Sequence, residues 1–525
     1  MKKIVLALII VLMALSPVFS QRNRPQAAPV AAEALPQTNR LTVMVFDRGT
    51  DGGRTLAHNN EWTRWIQQKV RADLGIEVTF IPVGRWSEEQ DIVNLMASRS
   101  APDLCYTYNL GMISHFRDQG GVMDLSPYID SYLPDLRRLL GDDPGFPGKQ
   151  LIVRDVDPRT QRIFSVPSYR VAIAMRNIFI RKDWLDTLGM PVPTNYNQLV
   201  IALRAFRDRD PGGVGRNRVV PFGVNADARW GLADPIHHFL SPRTDRDRWV
   251  FTVADRQIMM DGYKRGVQEM NRWYNEGLIF RDFPLMRTAD DFYNQIKSGV
   301  VGAFCQNWDF PYRTDINILE DLRKVVPNAD YVPIAVTNNR EVMDKPGLRI
   351  FVPSFSPNKD SALRYLNWLA KEENYRFLQL GREGVNHRMV NGIPQTIATS
   401  PQHPWIMNSP NNIDLTMPMN GVELGNVQAN GRALGLSYGS ISPDVIANAF
   451  ATSIRGARGP AVWQATTTVN QHNGVLREKA DDLIVLAISS RTQDFNRVWD
   501  NGIRDYLRSG GQEVLDERQA LYPRR

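Results

Sequence analysis

Residues 163–206, IFSVPSYRVAIAMRNIFIRKDWLDTLGMPVPTNYNQLVIALRAF, decide how the rest of the chain is read. The apolar runs 171–174 and 178–180 are short, rich in β-branched residues and bounded by polar ones, which predicts two buried strands. Lys182 to Leu188 predicts a short amphipathic helix stopped at Gly189, a residue suited to a left-handed C-cap. Pro191 and Pro193 keep the next segment extended, and Thr194 is placed to cap a second helix. On that helix Leu199, Val200, Leu203 and Phe206 recur at helical spacing.

Upstream, the pattern alternates. LTVMVF (41–46) predicts a strand, 47–54 a polar loop with three glycines, and 61–74 a helix with Trp62, Trp65, Ile66 and Val70 on one face. A strand at 76–81, a helix at 87–98 and a strand at 101–106 follow. Strand, helix, strand, helix, strand implies a parallel sheet covered by helices, and ligands of such sheets bind beyond the strands' carboxyl ends. Four loops qualify: 47–53, 83–86, 107–111 and the one around Tyr169. Downstream, 263–276 and 290–298 predict helices, GVVGAFC (299–305) a strand and QNWDF (306–310) the loop after it. Residues 357–380 predict a helix pair with Ala362, Leu363, Leu366 and Leu369 on one side; 390–463 is rich in Asn, Pro and Gly and reads as irregular.

Several ordered words resemble the extracellular solute-binding proteins of sugar-type ABC importers, in particular the long, oligosaccharide-binding subfamily. They are RKDWLDTLGMPVPTN, LMASRSAPDLCYTY, GGVMDLSPYIDSYLPDL, GVVGAF with NWDF, PNKDSALRYLNWLAKEENYRFLQLGREGVNHR and the terminal helices from KADDLIVLAIS onward. The resemblance implies a two-lobed α/β fold of the periplasmic binding protein-like type II, each lobe a mixed sheet flanked by helices, with a ligand cleft between lobes and three chain crossings. It implies lobe 1 from 40–165 plus 346–388 and lobe 2 from 166–345 plus 389–525. It also implies a carbohydrate ligand and an ABC permease as partner. Relatives often carry a calcium loop where this chain reads DRDPGGVGRNRV (208–219). Here Gly212, Val214, Arg218 and Val219 replace expected oxygen donors, so a loop salt-bridged by Arg209, Arg216 and Arg218 is expected instead of a metal site.

Lys2 and Lys3 before an apolar run from Ile4 to Leu15 predict a signal peptide cleaved after Ser20, followed by a flexible tether over 21–39. No cysteine precedes Cys105, so a lipid-modified terminus is not expected and a periplasmic location is. Cys105 and Cys305 both sit in apolar runs; the family topology puts them in different lobes, so two buried free thiols are expected. The net charge is +7, or +5 without the leader's lysines, spread along the chain without a basic block. That disfavours a nucleic-acid partner. A monomer is expected.

Sugars present C–H faces to aromatic rings and hydroxyls to polar side chains. The candidate platforms are Trp86, Tyr108, Tyr169, Trp230 and Trp308, with a core role as the alternative for Trp308. The candidate hydrogen-bonding partners are Asp47, Arg48, Asn109, Arg170, Asn307 and Asp309. Arginines at these loops suit neighbouring hydroxyls or a carboxylate, as in a uronate, although surface salt bridges are their commoner fate. No G-x-S-x-G elbow or H-E-x-x-H helix is present, and the adjacent His237 and His238 diverge too much for a metal pair. No cofactor and no catalysis are expected. The competing classes are a secreted carbohydrate-active hydrolase, which needs two carboxyls across a cleft, and a transport-deficient binding or sensor protein of the same fold.

Overall fold

The computed structural model describes residues 33–521, except 48–55, 86, 142–151, 153–156, 158–159, 161, 242–243, 254–255, 314–315, 344–345, 398–412, 422, 436–437, 439–440 and 459–465. The expected signal peptide and most of the tether lie outside the described residues. The end of the tether is docked: Leu35 packs on the core, and Thr38 bonds through its N–H to Asp360 and through its hydroxyl to Ser361.

Among the described residues the strands are, in chain order, β1 (Arg40–Asp47), β2 (Glu77–Gly84), β3 (Cys105–Thr107), β4 (Val166–Arg170), β5 (Arg176–Arg181), β6 (Val220–Gly223), β7 (Val301–Asn307), β8 (Tyr331–Ile334), β9 (Pro346–Phe351), β10 (His387–Val390), β11 (Ile393–Thr396) and β12 (Met419–Asn420). β1 and β2 are parallel in register Asp47 to Gly84, and a parallel bridge from Val43 to Leu104 joins them to β3. The first sheet therefore runs β2-β1-β3-β9-β4-β12, with β9 antiparallel to both neighbours. The carboxyl ends of β1 to β4 share one edge. The second sheet runs β6-β7-β5-β8, with β6 and β7 parallel and β5 antiparallel to β7 and β8.

Local signals explain the elements. The helix Glu61–Leu74 starts in a capping box between Asn60 and Thr63, worth about 1 kcal/mol, and ends at left-handed Gly75. It buries Trp62, Ile66 and Val70, as its periodicity predicts. The strands expected in 163–206 differ in one respect. The first is Val166–Arg170, not 171–174, and it is buried over Val166–Tyr169 inside a sheet, whereas 171–175 is the link to β5. Helix Tyr196–Arg209 is capped by Asn195, whose side chain accepts from the Gln198 N–H. Thr194 instead donates to Gln198 from one position earlier.

Packing divides the interior in two. One core takes residues from 41 to 171, from 348 to 378 and Leu415, Met417 and Met419; the other half takes residues from 174 to 336 and from 446 to 515. β4 pairs with β9, β12 pairs with β4, and both belong to the first sheet. The region expected to be irregular also contains helices Val427–Gly435 and Pro443–Ile454. Cys105 and Cys305 are buried free thiols, on β3 and β7.

Among the described residues, three stretches thus run between the two cores: 171–175, 335–343, and 421 with 423–426. They are packed together. The Met343 N–H donates to the Ile173 carbonyl (2.8 Å), and a Cβ on Gly421, at φ +105°, would lie 2.9 Å from the Val171 Cβ. Buried Arg340 in the second crossing donates to the carbonyls of Thr452 and Arg176 and to Asn177 Oδ1. A buried guanidinium needs that many acceptors, because each unmade bond costs on the order of 1–3 kcal/mol.

Candidate ligand site

At the first sheet's edge, the ends of β1, β2, β3 and β4 gather around Tyr108. Its ring stacks on Phe46 (centroids 6.2 Å apart) and lies under the guanidinium groups of Arg85 (4.5 Å) and Arg170 (5.9 Å). The loop is held by a residue the sequence reading did not single out, Glu88. This buried carboxylate accepts from the Thr107 hydroxyl (3.0 Å), the Tyr108 N–H (3.2 Å) and Arg85 Nη1 (2.7 Å). Burial pushes its carboxyl above the ordinary range, and Arg85 offsets only part of that. Asp47 ends β1 exposed, and its carbonyl accepts from the Arg85 N–H. Asn109 caps the helix Leu110–Asp118 and donates to Glu89. Tyr169 is buried on β4 and donates its hydroxyl to Glu423 (2.8 Å) in the third crossing. Arg48 and Trp86 lie outside the described residues.

The second sheet's edge is built differently. β6 delivers the chain to helix Ala228–Gly231, where half-buried Trp230 donates through Nε1 to Gln306 at the end of β7 (3.0 Å). The Arg176 guanidinium, from the start of β5, lies 4.8 Å from the Trp230 ring centre, and that of Arg229 lies at 5.9 Å. Arg176 and Arg340 each hold one oxygen of buried Asp234, at 3.1 and 3.3 Å. Burial alone would raise the Asp234 carboxyl, but these two cations outweigh it and hold it below the ordinary range. Glu341, from the second crossing, lies 3.5 Å from Arg176 Nη2 and 3.8 Å from His237 Nδ1. Burial, the largest influence, lowers the His237 pKa, and Glu341 opposes it. Arg256 clamps Asp481 through two bonds of 2.7 Å.

Among the described residues, four buried polar atoms at this edge have no hydrogen-bond partner: Arg176 Nη2, Arg229 Nε, His237 Nδ1 and Gln257 Oε1. Leaving buried polar atoms unpaired is costly. Asn307 lies opposite Arg176 in the β5–β7 register and is half-buried. Trp308 and Asp309 turn away from this edge into the core. Trp308 is 8% exposed and packs edge-on against Phe450 (5.4 Å) and Tyr438 (6.3 Å). Asp309 is buried and takes Arg313 and the Tyr438 hydroxyl. The helix Thr467–Ser489 packs against both Leu110–Asp118 and Ala228–Gly231, so one element spans the two edges.

Two parallel-and-mixed sheets with aromatic and arginine groups at their strand ends, joined by three crossings, match a known fold. The bacterial extracellular solute-binding protein family model matches residues 59–376, well over half of the chain. The chain belongs to that family. As a solute-binding protein it superposes on the alginate-binding protein AlgQ2 with a TM-score of 0.62 at 18% identity, covering 92% of this chain and 98% of that one. An HMO-binding, ABC-transporter-associated solute-binding protein from Bifidobacterium longum infantis superposes with a TM-score of 0.62 at 17% identity, over 92% and 98% of the two chains. In sequence it is 25% identical over 238 residues to a fructooligosaccharide ABC transporter substrate-binding protein of Streptococcus pneumoniae, 41% of each chain. The curated relatives it matches are thus aligned over less than half of their own length.

In the loop at 208–219, Asp208 is held by Arg207 (2.7 Å), not by the three arginines expected. Asp210, at φ +46°, accepts from the backbone N–H groups of Val214 and Gly215. No helix among the described residues is long and apolar enough to cross a membrane.

Proposed function

We propose that this solute-binding protein captures an oligosaccharide between its two sheets' strand-end edges and delivers it to an ABC permease, without breaking a bond. The observation that carries this is the pairing of two aromatic groups, Tyr108 and Trp230, each held by a part-buried hydrogen bond (through the backbone N–H of Tyr108 and the indole of Trp230) and flanked by arginines, on edges connected through three crossings. Rings offer sugar C–H faces a flat surface, and pre-organised neighbours reduce the entropy lost on binding. The alginate, HMO and fructooligosaccharide ligands named for its relatives are all carbohydrates. Trp230 replaces Trp308 as the platform of the second edge, because Trp308 has little surface left for a ligand.

The lobes in this proposal are 33–170 with 346–420, and 176–334 with 427–521; the crossings form the hinge about which they close. The protein works as a monomer in the periplasm after removal of its leader. The test is a thermal-shift series of the mature protein against defined oligosaccharides. A ligand that binds only the native state raises the melting temperature by mass action. A dose-dependent rise with intact sugar recovered afterwards is expected. Release of shorter products would instead support a hydrolase, and no rise with any saccharide would end the carbohydrate reading.

A further inference from the structure

We infer that the ligand carries a carboxylate, as a uronic acid does, and that Arg229 is the residue that selects it. The inference rests on the oligosaccharide reading above and names the chemical class for the same cleft.

Among the described residues, the carboxylates around Arg229 are engaged chiefly with other groups. Asp481 gives both oxygens to Arg256, Asp234 gives one each to Arg176 and Arg340, and Glu341 accepts from Gln257 Nε2 (2.5 Å). Asp227 caps the N–H of Trp230 (3.3 Å). What remains for Arg229 is distant: Asp481 at 3.6 Å and Asp227 at 3.8 Å, beyond hydrogen-bonding range. Its Nε is buried with no acceptor. The contrast with Arg85 on the first edge is direct, since Arg85 is tied to Glu88 at 2.7 Å.

The position adds to this. Arg229 sits one residue before the Trp230 ring, and its side chain remains 28% exposed. Next to it, Arg176 Nη2 (side chain 4% exposed) and His237 Nδ1 (9%) also lack partners. A planar guanidinium accepts a carboxylate through two parallel bonds, a geometry that a neutral hydroxyl pair fills less completely. Burial, and then the charge of Arg256, already disfavour the protonated form of Arg229. An incoming anion would relieve both penalties, whereas a neutral sugar would relieve neither.

The test is calorimetric titration of the mature protein with trisaccharides of galacturonate, glucuronate, mannuronate and guluronate, each beside its methyl-esterified form of the same length and linkage. At least one acid is expected to bind ten times or more tightly than its ester, with affinity falling as salt is raised. Arg229→Gln should remove that preference, and Arg229→Lys should restore part of it, since a point charge remains without the fork. Melting curves of both variants show whether they are folded. If only neutral saccharides bind, the carboxylate inference falls while the oligosaccharide reading stands. If acids bind equally well to Arg229→Gln, the role of Arg229 falls. If no saccharide of either kind binds the folded protein, both fall together.

Discussion

Glu88 and Asp234 are both buried carboxylates beside arginines, one at each edge of the cleft, yet their protonation equilibria move in opposite directions. Glu88 has one cation and two neutral donors, so loss of solvent dominates and the acid form gains. Asp234 has Arg176 and Arg340 against its two oxygens, so the charged form gains despite deeper burial. The count of cations decides the sign. The two edges accordingly differ in character: the first is a nearly neutral ring-and-loop scaffold, and the second is a charge network tied to a chain crossing through Arg340 and Glu341.

The comparison can be broken most severely at Asp234. Asp234→Ala leaves Arg176 and Arg340 buried without their anion, and should cost about 3–5 kcal/mol in urea unfolding. A loss below about 1 kcal/mol would mean that water or Glu341 already neutralises the pair. The sign of the pH effect is also set. Because the folded pKa of Asp234 is depressed, its contribution is present above the ordinary carboxylate range and is lost as pH falls through the lowered value. Acid unfolding of the wild type should therefore steepen there, and the variant should lack that component.

A comparable cost, about 3–5 kcal/mol, is expected for Trp308→Ala, since a packed core ring is removed. The saccharide affinity of the molecules that remain folded should be unchanged. Trp230→Ala reverses this pattern: its melting temperature without ligand should move little, while affinity drops roughly 30-fold, the scale of an aromatic hot spot. Calorimetry and unfolding curves on the two variants side by side decide which tryptophan is the platform. A large affinity loss in the folded fraction of Trp308→Ala would return the platform to Trp308.

The smallest effect belongs to Glu88→Gln, which keeps an acceptor for Thr107 and Tyr108 but removes the charge. At neutral pH the change in stability should stay within about 1 kcal/mol. Glu88 has a raised folded pKa, so its favourable contribution is full below the ordinary carboxylate range and is lost as pH rises through the raised value. The variant should show a flatter stability profile over that window. An unchanged slope would assign the wild-type profile to other groups.

Much of this was legible along the chain. Periodicity and caps placed helices Glu61–Leu74 and Tyr263–Glu276 at their observed bounds, and β-branched runs flagged β1, β2, β5 and β7. Those signals depend on neighbours a few residues apart, which a sequence displays directly. The loops at Tyr108 and Trp230 were legible for the same reason, as polar and aromatic segments after strands.

The partners inside those loops were not. Glu88 lies within a helix, Arg176 at a strand start, and Glu341 in a crossing, and nothing in their local spacing joins them to Tyr108 or Trp230. Trp308 looked like Trp230 in sequence, and only the position of helix Pro443–Ile454, with Phe450 against the indole, made one a core residue and left the other half-exposed. The sequence determined that 166–181 would be extended and interrupted, because backbone and side-chain preferences are local. Which sheet would take Val166–Arg170 was decided by tertiary structure, through β9 and β12, strands that return from residues 346 and 419 to pair with it.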